Sequence, residues 1–180
     1  MRFTRLFAGL LVCTFVLALT GLAQSKYSGV KMCAACHKAE KTGAAFVMWE
    51  KSAHAKAFQT LKSKEADEIA KKKGLKTAAA ESPECLKCHV TGGGTATNVE
   101  AGFKKEEGVT CEGCHGAASG YKMIHSKPEN KEKAKAAGLV VTSKTDPKPC
   151  EKCHNSESPT FKGFKMAEMW GKIAHPLPKK

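Results

Sequence analysis

The sequence predicts a small, mostly α-helical fold with long loops, and three observations carry that prediction. First, the pattern Cys-x-x-Cys-His occurs four times: Cys33, Cys36 and His37; Cys85, Cys88 and His89; Cys111, Cys114 and His115; Cys150, Cys153 and His154. Residues i, i+3 and i+4 share one face of a helical turn, so each repeat asks for at least one such turn. Second, Trp49, Ala53, Ala57 and Leu61 recur every four residues on one stripe, the period of an amphipathic helix. Third, Leu139-Val140-Val141-Thr142 is the single short β signal.

Taken in order, the chain opens on a positive stretch, Met1 to Arg5. An apolar run from Leu6 to Leu19 follows, and then small residues at Gly21 and Ala23. That is the pattern of an export signal. The reading cuts after Ala23, giving a signal peptide at 1–23 and one domain at 24–180. The apolar run is short for a span of about 20 residues, so an uncleaved anchor fits less well. Cys13 lies inside the run behind Val12, which is too large for a lipoprotein cut, so the ninth cysteine leaves with the signal.

Thr42 to Lys62 reads as helix, continuing to Lys73, with Gly74 as its stop. Ser82-Pro83-Glu84 supplies an N-cap, an N1 proline and an acidic first turn for the second motif. The run Thr91 to Thr95, with three glycines, ends that helix. It has neither a preceding strand nor a following Lys-Ser/Thr, so it is a turn and not a phosphate cradle. The third motif begins 26 residues after the second, which makes the groups they carry expected neighbours. A short helix from Pro128 to Ala137 stops at Gly138. Asp146 to Pro149 is an extended lead-in to the fourth motif, and a last helix runs from Ser158-Pro159 to Ile173.

C-x-x-C-H is the covalent attachment pattern of a c-type haem. Two sulfurs one turn apart reach the two vinyl groups of a porphyrin, and the histidine projects to the iron as its proximal ligand. Structural zinc uses paired cysteines but needs no histidine after every second one. A disulfide framework leaves the four histidines unexplained. A thioredoxin-type pair needs a βαβ context that is absent here. The reading is four covalently bound haem c groups on Cys33, Cys36, Cys85, Cys88, Cys111, Cys114, Cys150 and Cys153. His37, His89, His115 and His154 are their iron ligands. Haem is attached outside the cytoplasmic membrane, so motifs and signal agree on the periplasm.

Cleavage after Ala23 leaves 157 of the 180 residues, or about 39 per haem, too few to wrap each haem in its own polypeptide core. The four haems must themselves form the core. Seven histidines are present, and His54, His125 and His175 remain after the motifs are served. Each sits among apolar or small residues, and four irons want second ligands, so all three are candidate distal ligands. One iron is left short. Either a methionine (Met32, Met48, Met123, Met166 or Met169) completes it or it is five-coordinate.

The formal charge is +13. Loss of Arg2 and Arg5 with the signal lowers it to +11, and the propionates of four haems lower it to roughly +7. No nucleic-acid module is present. The excess favours docking on acidic redox partner proteins, with peripheral membrane contact as a lesser option.

The four motifs, the Trp49-x4-His54 segment, Cys85-x2-Cys88-His89-x-Thr91-Gly92 and Gly108-Val109-Thr110-Cys111-x2-Cys114-His115-Gly116 together resemble the cytochrome c-554 family. The resemblance implies a mostly helical fold with closely spaced haem pairs and an electron-carrier role, in some members linked to hydroxylamine oxidation. It also implies three bis-histidine haems and one five-coordinate haem, the open one corresponding to the second motif. Three readings follow: a periplasmic single-electron relay, an enzyme reducing a small nitrogen species at an open haem, and a subunit of a polymeric haem wire.

Overall fold

The computed structural model describes residues 24–176. The expected signal peptide and Cys13 lie outside them. Among the described residues nine short α-helices are linked by turns and 3-10 segments, and no helix is long and apolar enough to cross a membrane.

Helix α1 (Val30–His37) carries the first motif. The long helix expected from Thr42 breaks into three: α2 (Ala45–Glu50), α3 (Ala57–Thr60) and α4 (Lys64–Lys72). The break at 51–56 has a cause. The Trp49 indole donates to the Val109 carbonyl at 2.8 Å, and Val109 N–H donates to the His54 carbonyl at 3.0 Å. These bonds hold the 49–54 segment on the approach to the third motif and turn His54 out of helical register. Gly108 permits this contact, with φ +72°, and a Cβ there would stand 2.7 Å from the His54 carbonyl oxygen. Helix α4 starts at Ser63, whose hydroxyl accepts from Ala66 N–H at 3.1 Å. It ends before Gly74, as the sequence indicates.

Helix α5 (Pro83–His89) carries the second motif, with Pro83 in its first turn. The Ser82 hydroxyl donates to the Glu84 carboxylate at 2.6 Å instead of capping the backbone. Helix α6 (Cys111–His115) carries the third motif. The segments bearing motifs two and three do abut, since Thr91 Oγ1 accepts from Thr110 N–H at 2.8 Å and meets Thr110 Oγ1 at 3.0 Å. Helix α7 (Lys131–Ala136) follows a 3-10 turn at Pro128–Asn130.

Two expectations fail in the following stretch. Leu139–Thr142 is not a strand; among the described residues the β pairing is an isolated bridge between Tyr27 and Val99. Val140 bonds a histidine instead: its N–H donates to the His115 carbonyl at 2.9 Å. Gly116 makes this approach possible, because a Cβ there would lie 2.4 Å from the Gly138 carbonyl oxygen. The lead-in to the fourth motif is helical in its second half, not extended: α8 (Lys148–Glu151) begins directly after Pro147, with Pro149 in its first turn. The motif ends in a turn, yet His154 N–H still reaches the Cys150 carbonyl at 2.9 Å, the i→i−4 bond that aligns it with the first cysteine. The last helix, α9 (Met166–Ile173), starts seven residues later than expected, after Gly163 at φ +99°.

The buried apolar residues form two small clusters. One gathers Phe58, Leu61, Ala70, Ala79, Leu86 and Val90 under α3–α5. The other is Ala118, Tyr121 and Ala134 beneath α7. Neither reaches all four motifs, so side chains alone do not supply the centre of this molecule.

Candidate functional site

The three spare histidines each face a different motif histidine. His125 stands against His37 with ring centroids 5.8 Å apart, His54 against His154 at 5.9 Å, and His175 against His115 at 6.0 Å. For the first pair the Nε2 atoms point at one another, 3.5 Å apart. A first-row metal ion bonds imidazole nitrogen at about 2 Å, so each gap suits one ion between two rings. His89 is left over, and the sequence holds no further histidine to face it.

The tautomers fit the same use. His89 Nδ1 lies 2.8 Å from the Ala57 carbonyl, His115 Nδ1 2.9 Å from the Val140 carbonyl, and His125 Nδ1 3.1 Å from the Tyr121 carbonyl. A carbonyl oxygen can only accept, so each Nδ1 carries the proton and Nε2 offers a bare lone pair. Metal-ligating histidines are oriented in this way. Burial holds His37, His54, His115 and His154 below the ordinary imidazole range, helped by neighbouring histidines for the first three. They are neutral at neutral pH, as iron ligation requires.

The thiols fall into a definite neighbour order. Contact between the Cys33 and Cys111 thiols holds Cys33 down and, ahead of burial, pushes Cys111 up. Burial and then Cys150 raise Cys114. Burial and then Cys88 push Cys153 up to about 11. Electrostatic influence thus runs from motif one to three, from three to four and from four to two. The expected closeness of motifs two and three holds for their backbones, and Cys88 and Cys114 line one cavity.

Motifs two and four, with Gly113 and Cys114 of motif three, open onto one largely apolar cavity of about 840 Å³, walled also by His54, Phe164, Met169 and Trp170. That is ample for cofactor-sized occupants. Phe164 stacks on His154 at 5.1 Å. Among the described residues no cluster of three or more His, Cys, Asp or Glu could hold a metal ion, whereas structural zinc wants four such ligands. The donor set fits thiol-anchored haem.

One residue of structural weight escaped the sequence reading. Glu112, inside the third motif, is 3% exposed. Its carboxylate accepts from Ser28 N–H at 2.8 Å, Gly29 N–H at 2.9 Å and Ala118 N–H at 2.8 Å. Glu107 accepts from Val30 N–H at 3.0 Å beside it. Together they receive the amino end of α1 and lock motif one onto motif three. An acid between the cysteines was the available signal, but the same residue type at Glu151 is exposed.

Residues 32–116 match the family described as cytochrome c554 and c-prime. Over 109 residues the chain is 33% identical to cytochrome c-554 of Nitrosomonas europaea, an alignment covering 58% of this chain and 44% of that protein. This chain is a c-type cytochrome resembling the cytochrome c554 family. The cytochrome spans less than half the length of that relative. No solved structure matches it. A c-type cytochrome binds haem covalently through thiols such as these, and the missing polypeptide core is accounted for by haem.

Proposed function

We propose that this cytochrome is an exported, periplasmic electron carrier with four haem c groups, three held between two imidazoles and one, on Cys85, Cys88 and His89, with an open position. The observation that carries the reading is the pairing of every spare histidine with a separate motif histidine, which leaves His89 alone. Haem iron, when bound, supplies a reversible one-electron change.

The chain's part is to hold that change in place. His37 and His125, His54 and His154, and His115 and His175 close both faces of three sites, so no ligand need exchange during turnover. The Ala57, Val140 and Tyr121 carbonyls fix ring orientation through Nδ1–H. The thiol order one–three–four–two supports a linear relay with motif one at one end and motif two at the other. All distal imidazoles come from the same chain, so no neighbour's histidine is required to complete it.

Charge supports a polarity for that relay. Residues 24–42, running through motif one, carry four lysines against Glu40, whereas residues 63–108, around motif two, carry eight lysines and eight acids. An acidic redox partner would dock at the motif-one end, where charge raises the on-rate. The lone His89 favours a second reading, reduction of nitric oxide, hydroxylamine or nitrite at the open haem.

The test is mass spectrometry and electron paramagnetic resonance of the oxidised protein as isolated. Four covalent haems and a three-to-one ratio of low-spin to high-spin signals are expected. A zinc protein without Soret absorbance would overturn the whole reading. Four low-spin haems would place a methionine, with Met166 and Met169 on the cavity wall, opposite His89.

A further inference from the structure

His89 differs from the other motif histidines in what meets its Nδ1. Besides the Ala57 carbonyl at 2.8 Å, the Thr60 hydroxyl lies 3.2 Å from that nitrogen. The same hydroxyl donates to the Ala57 carbonyl at 2.7 Å. A hydroxyl has one proton to give, and here it goes to Ala57, so the oxygen turns a lone pair toward His89. The Nδ1–H thus sits in a fork between two acceptors. His115 and His125 each meet a single backbone carbonyl at Nδ1.

The ordinary reading of Thr60 is local: a hydroxyl bonding back three residues at the end of a short helix. That accounts for the bond to Ala57. It does not account for a side-chain acceptor at the one motif histidine that lacks a facing imidazole.

We propose that Thr60 is a positioning residue for the second motif, setting through His89 the potential of the haem on Cys85 and Cys88. The proposal rests on the reading that His89 ligates that haem. An acceptor at Nδ1–H pulls the proton outward and makes Nε2 a stronger donor. A stronger donor favours ferric over ferrous iron and lowers the potential. Where a second imidazole shares the iron, one such bond is diluted. At His89 the proximal ring acts alone, so the Thr60 hydroxyl has its greatest leverage there.

The test uses the full haem-loaded protein with Thr60→Val, which keeps the shape and removes the acceptor, and Thr60→Ser, which keeps the hydroxyl. In a potentiometric titration, Thr60→Val should move one haem of four to higher potential and leave three unmoved, with Thr60→Ser returning it toward the wild-type value. In the reduced protein, the iron–histidine stretch of the high-spin haem should fall in Thr60→Val alone. Unchanged midpoints and an unchanged stretch would overturn the proposal, and so would equal movement of all four haems, which is packing damage. The two readings fail separately: a wild type without a high-spin haem removes the open site, while a single-haem shift in Thr60→Val still supports Thr60.

Discussion

The two halves of this cytochrome are fastened in opposite ways. Motifs one and three are locked by a buried carboxylate: Glu112 takes the N–H groups of Ser28, Gly29 and Ala118, out of water. Motifs two and four meet across a cavity of about 840 Å³. Their polar tie is at the surface, where Lys87 pairs with Glu157 and Lys73 donates to the Glu157 carbonyl at 3.1 Å. The locked half holds two facing imidazole pairs. The loosely tied half holds one pair and the lone His89. On the proposed ligation, the firmer tie goes with closed coordination, and the candidate open position lies where the polypeptide leaves room.

The largest break in that comparison should come from Glu112→Ala. It leaves three buried N–H groups without an acceptor, each worth roughly 1–3 kcal/mol. Loss of about 3 kcal/mol or more is expected in guanidinium denaturation. Glu151→Ala, at the same position of the fourth motif but exposed, should change stability by about 0.5 kcal/mol or less. Equal effects would mean that Glu112 is no lock.

Much of the candidate site could be proposed from the sequence because the pattern for covalent haem attachment is local. Two cysteines and a histidine within five residues carry their own geometry. The count of seven histidines against the eight axial positions that four haems would offer likewise needed no fold. What could not be read was anything set by a distant partner. The helix from Thr42 breaks at 51–56 because Trp49 and His54 bond Val109, sixty and fifty-five residues away. Val140 leaves the strand pattern to bond His115. Glu112 and Glu151 are alike in sequence and differ only in what folds over them.

The next effect falls on single haems. Replacing His54, His125 or His175 with Ala should each convert one low-spin haem to high-spin and leave the other haems unchanged, read by electron paramagnetic resonance. The three pairs should also be distinguishable in the native protein. The His37 and His125 rings lie 19° from parallel, whereas His54 and His154 cross at 80°. Parallel rings impose a rhombic field on a low-spin iron and crossed rings an axial one, so their signals should separate. A His variant with no spectral change would remove that residue from the ligand set.

A smaller effect tests the polarity of the relay. Lys31, Lys38 and Lys41 are exposed around motif one; Lys71, Lys72 and Lys76 are exposed on and after α4. Reversing the first three to Glu should slow reduction by dithionite, an anion, by about tenfold at low salt. Reversing the second three should change it less. The difference should shrink at high ionic strength, since exposed charges are screened within about 10 Å at 0.1 M salt. Equal slowing by both triples would erase the proposed docking end.

The smallest effect is expected at the tie between motifs two and four. Lys87 holds the Glu157 carboxyl below its usual range by hydrogen bond and charge, and Glu157 raises Lys87 in return. These shifts are not a measure of stability, because both side chains remain largely in water, with 51% and 63% of their surfaces exposed. An exposed pair gives back in lost side-chain freedom most of what it gains in attraction. Glu157→Gln also keeps the backbone carbonyl that Lys73 bonds, so the segment retains one of its two anchors. The denaturation midpoint should therefore match the wild type at both low and high salt. A clear drop that deepens at low salt would show that this surface pair carries the second half as Glu112 carries the first, and the contrast between a locked and a loosely tied half would fail.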